Sequence, residues 1–227
     1  ILLINDDTVS NPNLISKLVK SFHMDPSIGI VGPTITYFNK PHTIWYSGGN
    51  FNRLFCLTTH PYMNRGVKFA CSGYTDFVTG CCMMIRREVF EDIGFLDTRF
   101  GYYFEDAFFC KKAFEKGYKS FVIKDTLMKH RVSSTLGNVG TNSMTLLRSY
   151  YFARNPFIII RDENKFILKF TQLLGQFLIR LPYYTSIILS SAAGQLRSMK
   201  WYLMGLRDGF WYLLGGRLPK HQDKKIK

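Results

Sequence analysis

The chain opens on four apolar residues, Ile1-Leu2-Leu3-Ile4, and breaks at once into Asn5-Asp6-Asp7-Thr8. An apolar run closed by turn formers predicts a buried strand already under way at the first residue. Asn11-Pro12 predicts a helix start, Asn as N-cap and Pro in the first turn. Leu14, Leu18, Val19 and Phe22 then recur at helical spacing until Asp25-Pro26 stops the run. Ile28 to Val31 predicts a short buried strand closed by Gly32-Pro33. The stretch from Thr34 to Tyr74 mixes aromatics with turn residues such as Gly48-Gly49-Asn50, which predicts strands and long loops. Asp76 to Ile85 predicts a strand, Arg86 to Asp92 a short helix ended by Gly94, and Glu105 to Lys116 a second helix capped by Gly117. Lys119 to Ile123 is strand-like again. Strands alternating with short helices imply an α/β layer.

The pattern changes after Arg154-Asn155-Pro156. Phe166, Phe170, Leu173, Leu174, Phe177, Leu178 and Leu181 form one helical stripe, and Lys165, Lys169, Gln172, Gln176 and Arg180 form the opposite one. That predicts an amphipathic helix with a cationic polar side. Leu181 to Gly194 carries no charge, but the run is too short to span a bilayer and contains Pro182. Trp201, Tyr202, Trp211 and Tyr212 among Lys200, Arg207 and Arg217 suit a water–lipid boundary. Packing on the preceding domain, or dimer formation, would use the same pattern.

Composition sharpens this picture in two ways. With 46% hydrophobic and 16% aromatic residues, the 227-residue chain can bury a substantial core. Its 30 Lys and Arg against 16 Asp and Glu leave a charge of +14, which favours anionic partners: nucleic acid, an anionic membrane surface or a phosphorylated substrate. No basic recognition helix or aromatic sheet motif accompanies the charge, so nucleic acid is not expected. Cys56, Cys71, Cys81, Cys82 and Cys110 fit no zinc spacing and predict reduced, mostly buried thiols in a cytosolic protein.

Several residues could carry chemistry. Asp6-Asp7, directly after a strand, would stand at the sheet edge where open α/β folds bind ligands, and paired carboxylates suit a hard divalent cation shared with phosphates. Capping accounts equally well for such residues in a turn. Glu105-Asp106 begins a helix after the aromatic run Phe100 to Phe104. The helix dipole alone would favour carboxylates there, and desolvation by the rings could raise one pKa toward that of a useful base. His130, taken alone, suits a structural role as readily as a ligand's.

The order of these features is more specific than any one of them. Asn5-Asp6-Asp7-Thr8, Thr79-Gly80 before Met83 to Phe90, Ile93-Gly94-Phe95-Leu96-Asp97, Tyr103-Phe104-Glu105-Asp106, His130 and Tyr151 to Asn155 follow in succession. From Ile1 to about Asn155 the chain resembles the family 2 glycosyltransferases, particularly the rhamnosyltransferase-like members. The resemblance implies an α/β fold of GT-A type, a nucleotide-binding domain merged with an acceptor-binding part. Residues 1–158 would be part of such a domain, and 159–227 a membrane-associated helical tail.

Residue by residue, the resemblance makes Asn5-Asp6-Asp7 the Asp-X-Asp-type motif. Asp7 would bind the metal, Mn2+ or Mg2+, with Asp6 beside it at the substrate. His130 would complete metal and diphosphate binding. Asp106 would be the catalytic base supported by Glu105, and Thr79 and Gly80 would line the sugar pocket. Two positions depart from the pattern: Asn5 replaces an aspartate, and Phe108 stands where a second aspartate often follows Glu-Asp. The implied reaction is inverting transfer from a nucleotide-diphospho-sugar to a glycan or lipid-linked acceptor. The expected location is the cytoplasmic, inner face of the cell membrane, in cell envelope polysaccharide synthesis. A start inside a strand also predicts a cropped chain lacking roughly 90 residues, or three βα units, with an exposed sheet edge. The competing reading is an inactive remnant that binds a membrane or a partner chain.

Overall fold

The computed structural model describes residues 1–131, 144–190 and 195–219. Its first elements are β1 (Leu2–Ile4), β2 (Thr8–Ser10), α1 (Leu14–Ser21), β3 (Ile28–Tyr37), β4 (Lys40–Tyr46), β5 (Asn50–Asn52), β6 (Leu57–Thr59), β7 (Gly73–Thr75) and β8 (Cys82–Ile85). They are followed by α2 (Arg87–Ile93), α3 (Glu105–Glu115) and β9 (Lys119–His130). The helices α4 (Leu146–Arg154), α5 (Pro156–Asp162), α6 (Phe166–Gly175), α7 (Leu181–Ser190) and α8 (Gln195–Leu213) complete the chain. The fold is mixed α/β, in keeping with the GT-A type.

Two compact units divide these elements. The first comprises Ile1–Phe51, Thr58–Leu96 and Asp106–Gly137; the second comprises Asn52–Leu57, Asp97–Glu105 and Asn138–Lys227.

In the first unit one sheet runs in the order β1-β8-β3-β9-β2, with β4 also on β3 and β7 also on β9. Among the described residues of this sheet, β3 and β9 pair in parallel and the other strand pairs are antiparallel. Ile28, Ile30, Val31 and Ile35 of β3 and Phe121, Val122 and Ile123 of β9 are buried, as are Phe109 and Ala113 of α3. Runs this apolar are what a strand covered on both faces requires.

The sequence expectations need four corrections here. The opening strand is an edge strand, half-buried, with Ile1 and Ile4 exposed, because β8 is its one ladder partner among the described residues. Helix α1 starts at Leu14, later than Asn11-Pro12: the Asn11 carboxamide accepts from the Asn13 amide in a turn of its own, and the Asn11 amide is held by the Leu127 carbonyl. Strand β3 does not stop at Gly32-Pro33. It absorbs the proline at a register shift against β9 between Pro33 and Thr34, where a missing N–H costs least. Finally, the strand expected from Asp76 is confined to Cys82–Ile85. Upstream of it, the Asp76 carboxylate takes the Phe51 amide and the Gly80 amide goes to Asp106, so side chains replace the ladder.

The other boundaries agree more closely. Gly94 and Gly117 terminate α2 and α3 with φ of 77° and 93°, conformations that glycine adopts without a Cβ penalty. Cys56, Cys81, Cys82 and Cys110 are buried thiols and Cys71 is exposed.

In the second unit α4 packs along α8, and the two share buried Tyr150, Tyr202 and Asp208, with the Tyr150 hydroxyl donating to Asp208 at 2.8 Å. From Gln172 on, the polar stripe of α6 and the turn after it faces inward. Gln172, Gln176 and Arg180 are buried, while Phe166, Phe170 and Leu178 are exposed. This orientation has a hydrogen-bonding cause. Gln172 Nε2 donates to the Arg53 carbonyl at 2.8 Å, and the Arg180 guanidinium reaches the carbonyls of Cys56 and Phe152 at 3.5 and 2.9 Å. None of the described helices is long and apolar enough to cross a membrane.

Candidate active site

Strand directions bring the predicted residues together. β8 runs antiparallel to both β1 and β3, and β9 runs parallel to β3. The end of β1, the start of β8 and the end of β9 therefore share one edge of the sheet. That edge carries Asn5-Asp6-Asp7, Thr79-Gly80-Cys81 and His130.

Backbone contacts fix these loops. The Asn5 amide donates to the Cys81 carbonyl at 3.0 Å, and the Arg131 amide donates to the Asp7 carbonyl at 2.9 Å. Asp7 and His130 meet side chain to side chain, with Oδ1 to Nε2 at 3.0 Å. Burial pushes the imidazole below its ordinary pKa, against the opposing pull of Asp7. A largely neutral imidazole results, which is the form that binds metals. Two right-angled ligands of a small divalent cation, each at about 2.1 Å, stand about 3.0 Å apart, so this pair suits one ion. No group of three His, Cys, Asp or Glu converges among the described residues, and further ligands would come from substrate and water. Asp6 lies exposed on the same turn, which the Thr8 hydroxyl closes by donating to the Asn5 carbonyl at 2.7 Å.

Asp106, in the first turn of α3, takes the Gly80 amide on Oδ2 at 2.9 Å and the Ala107 amide on Oδ1 at 2.7 Å. Desolvation raises its pKa, although these donors and the Thr79 hydroxyl pull the other way. A Cβ at Gly80 would lie 3.7 Å from the Asp106 Cβ, in ordinary van der Waals contact with it, so the turn packs closely against the carboxyl group. Thr79 is buried, and its hydroxyl accepts from the Cys81 amide at 3.4 Å. The Cys81 thiol is raised by burial first, then by Cys82, Asp7 and Asp106. Both acidic motifs therefore act on the same short turn.

Residues 1–215 match the family described as Glycosyl transferase family group 2. The chain belongs to this family. Over 136 residues it is also 24% identical to the dTDP-rhamnosyl transferase RfbF of Shigella flexneri, a match that covers 59% of this chain. The chain spans 45% of that relative's length.

Family membership extends through the helices beyond Asn155, and two features there and in β4 were not assigned by motif. The Trp45 ring meets the His130 imidazole edge-on, centroids 4.3 Å apart, and restricts its rotation. Trp45 lies in the aromatic-rich stretch that the pattern left as strands and loops. In the second unit, buried Arg154 and Asn155 clamp the loop that runs into Glu105. Asn155 Nδ2 reaches the carbonyls of Phe100, Tyr102 and Tyr103 at 3.0, 2.6 and 2.8 Å, and Arg154 donates to those of Arg99 and Phe100. Tyr103 and Phe104 adopt φ of 65° and 72°, left-handed conformations that bulky residues keep only under such restraint. Glu105 opens α3 directly after them. Phe108, the departure from the acidic pattern, is buried in α3 with the Lys111 ammonium over its ring, so it packs the helix.

Proposed function

We propose that this chain carries the catalytic edge of an inverting glycosyltransferase that moves a sugar from a nucleotide-diphospho-sugar to a glycan or lipid-linked acceptor. The observation that carries the reading is the meeting at Thr79-Gly80-Cys81 of two acidic sites. One is the Asp7–His130 pair and the other is Asp106, whose pKa is raised by burial. A non-catalytic remnant is not favoured, because family membership covers residues 1–215 and the acidic motifs lie inside that match.

Asp7 and His130 would hold a divalent ion, Mn2+ or Mg2+, and Asp6 would bind substrate at its side. When bound, such an ion neutralises the charge that grows on a departing diphosphate. Asp106 acts on the acceptor. Its carboxylate accepts the proton of the attacking hydroxyl as the new bond forms to the anomeric carbon and the bond to the diphosphate breaks, which inverts the centre. The Gly80 and Ala107 amides orient the carboxylate. Glu105 supports the base, and Thr79 and Gly80 line the sugar pocket. A good leaving group removes the need for a second carboxylate acting as acid, in contrast to glycosidases.

The relative's dTDP-rhamnose chemistry makes a deoxythymidine-diphospho sugar the first donor to try. The charge of +14 supports a diphosphate donor and a peripheral position on an anionic, inner membrane face in envelope polysaccharide synthesis. The test is Asp106→Asn in the full-length protein. Transfer should fall by about 10²–10⁴-fold, while donor affinity measured by calorimetry stays within about twofold. Near-normal turnover would remove Asp106 from the base's role.

A further inference from the structure

The stretch Phe166–Ser190 is helical throughout, with one wider turn at Gln176–Arg180 joining α6 to α7. Its two stripes are reversed relative to a soluble surface helix. Gln172, Gln176 and Arg180 are 0%, 1% and 2% exposed, whereas Phe166, Phe170, Phe177 and Leu178 are 82%, 50%, 43% and 70% exposed. Two of these inward polar residues are engaged within the second unit. Gln172 bonds to Arg53, and Arg180 bonds to Cys56 and Phe152 while stacking over Phe104 and Tyr184. A Cβ on Gly175 would come within 2.8 Å of the Phe55 carbonyl, so the helix sits hard against that backbone and cannot rotate its apolar side inward.

Helix α8 repeats the arrangement. Leu196, Leu203 and Phe210 recur every seven residues and are exposed, with exposed Lys200 and Arg207 between them. An apolar stripe of this size facing out needs an occupant. Charge decides which kind. From residue 159 onward the chain has twelve Lys and Arg against four Asp and Glu. Long cationic side chains set among outward Leu and Phe can reach phosphates while the apolar groups enter an acyl layer.

We infer that the outward apolar stripe of Phe166–Ser190, continued by that of α8, is a monotopic membrane-contact surface for a bilayer containing anionic lipid. It is the apolar side of the helix, not its cationic side, that meets the membrane. The helix lies in the interface with its buried Gln and Arg toward protein. The inference rests on the peripheral-membrane part of the proposed function and specifies how contact is made.

Flotation of the full-length protein with vesicles of phosphatidylcholine, alone or mixed with phosphatidylglycerol, tests this at low and high salt. The protein should float with the mixed vesicles, and a substantial part should remain bound at high salt. The double variant F170E/F177E should lower the bound fraction about tenfold or more. It should melt as the wild type does and still transfer sugar to a water-soluble acceptor. A Phe170→Trp variant should be quenched by brominated phosphatidylcholine acyl chains, which guards against misfolding of the glutamate variant.

Unchanged flotation of F170E/F177E, or no quenching of Phe170→Trp, would overturn the inference. Binding that salt abolishes completely, equally in both proteins, would also overturn it, yet leave peripheral adsorption standing. No flotation, with a concentration-dependent dimer that F170E/F177E breaks, would assign the stripe to a second copy of the chain. Flotation as expected from a protein that transfers no sugar would refute the glycosyltransferase reading alone.

Discussion

At the scale of single residues the proposed chemistry turns on Asp106. Desolvation raises its pKa, and the Gly80 and Ala107 amides limit the rise. A base must be ionised to work, so the acid limb of the kcat/KM profile should fall above the ordinary aspartate value of about 3.9, with unit slope. A limb at or below that value would separate the limb from Asp106. The same shift affects stability. A carboxyl whose folded pKa is raised binds its proton more tightly in the folded state, so its ionisation costs stability at neutral pH. The folded state regains that stability as pH falls through the folded pKa, and the gain is complete below the unfolded pKa. The difference in Tm between wild type and Asp106→Asn, followed from neutral to acid pH, should therefore move in favour of wild type as pH falls. A difference independent of pH would contradict the raised pKa. The acidic motifs were legible as residue types and spacing. Their convergence was not, because nothing local in Thr79-Gly80 says that its amide will face a carboxylate 26 residues away.

At the scale of elements, the loop Asp97–Glu105 is the part most dependent on others. Arg99 is bonded to Asp97, Asp162 and Tyr212, and those partners hold its guanidinium pKa above the ordinary value. Asn155 and Arg154 supply the donors that the irregular backbone of Phe100 to Tyr103 would otherwise lack. Asn155→Ala should cost about 1–3 kcal/mol by removing the donor to the part-buried carbonyls of Tyr102 and Tyr103. It should also lower kcat more than it raises donor KM, since the loop leads covalently into Glu105-Asp106. Denaturant melts and a full kinetic profile check this; a variant with wild-type stability and kcat would deny the clamp its role. The sequence pattern found α2 and α3 and their glycine stops, because caps are local. It missed the full lengths of β3 and β9, because their continuation past Pro33 and Ile123 depends on each other's register. It separated the two stripes of α6 by polarity but gave no sign of which one faces protein, because that depends on the distant carbonyls of Arg53, Cys56 and Phe152 that the Gln and Arg side chains reach.

At the scale of the molecule, a charge of +14 acts before any contact is made. A nucleotide diphosphate approaching such a chain is drawn by the summed field, and ions screen that field beyond roughly 8–10 Å at moderate ionic strength. The site itself is different. Asp7 and His130 are 3.0 Å apart and mostly buried, so screening reaches them far less. The two effects separate kinetically. Raising salt should lower kcat/KM for a nucleotide-diphospho-sugar severalfold, through slower association, and leave kcat within about twofold. The comparison needs a water-soluble acceptor, so that release from membranes does not enter. If kcat fell in parallel with kcat/KM, salt would be acting on the chemistry or the fold, and the basic surface would have no part in capturing donor. If neither changed, the excess charge would serve the membrane alone, and the lysines and arginines beyond residue 158 would be the ones to neutralise next.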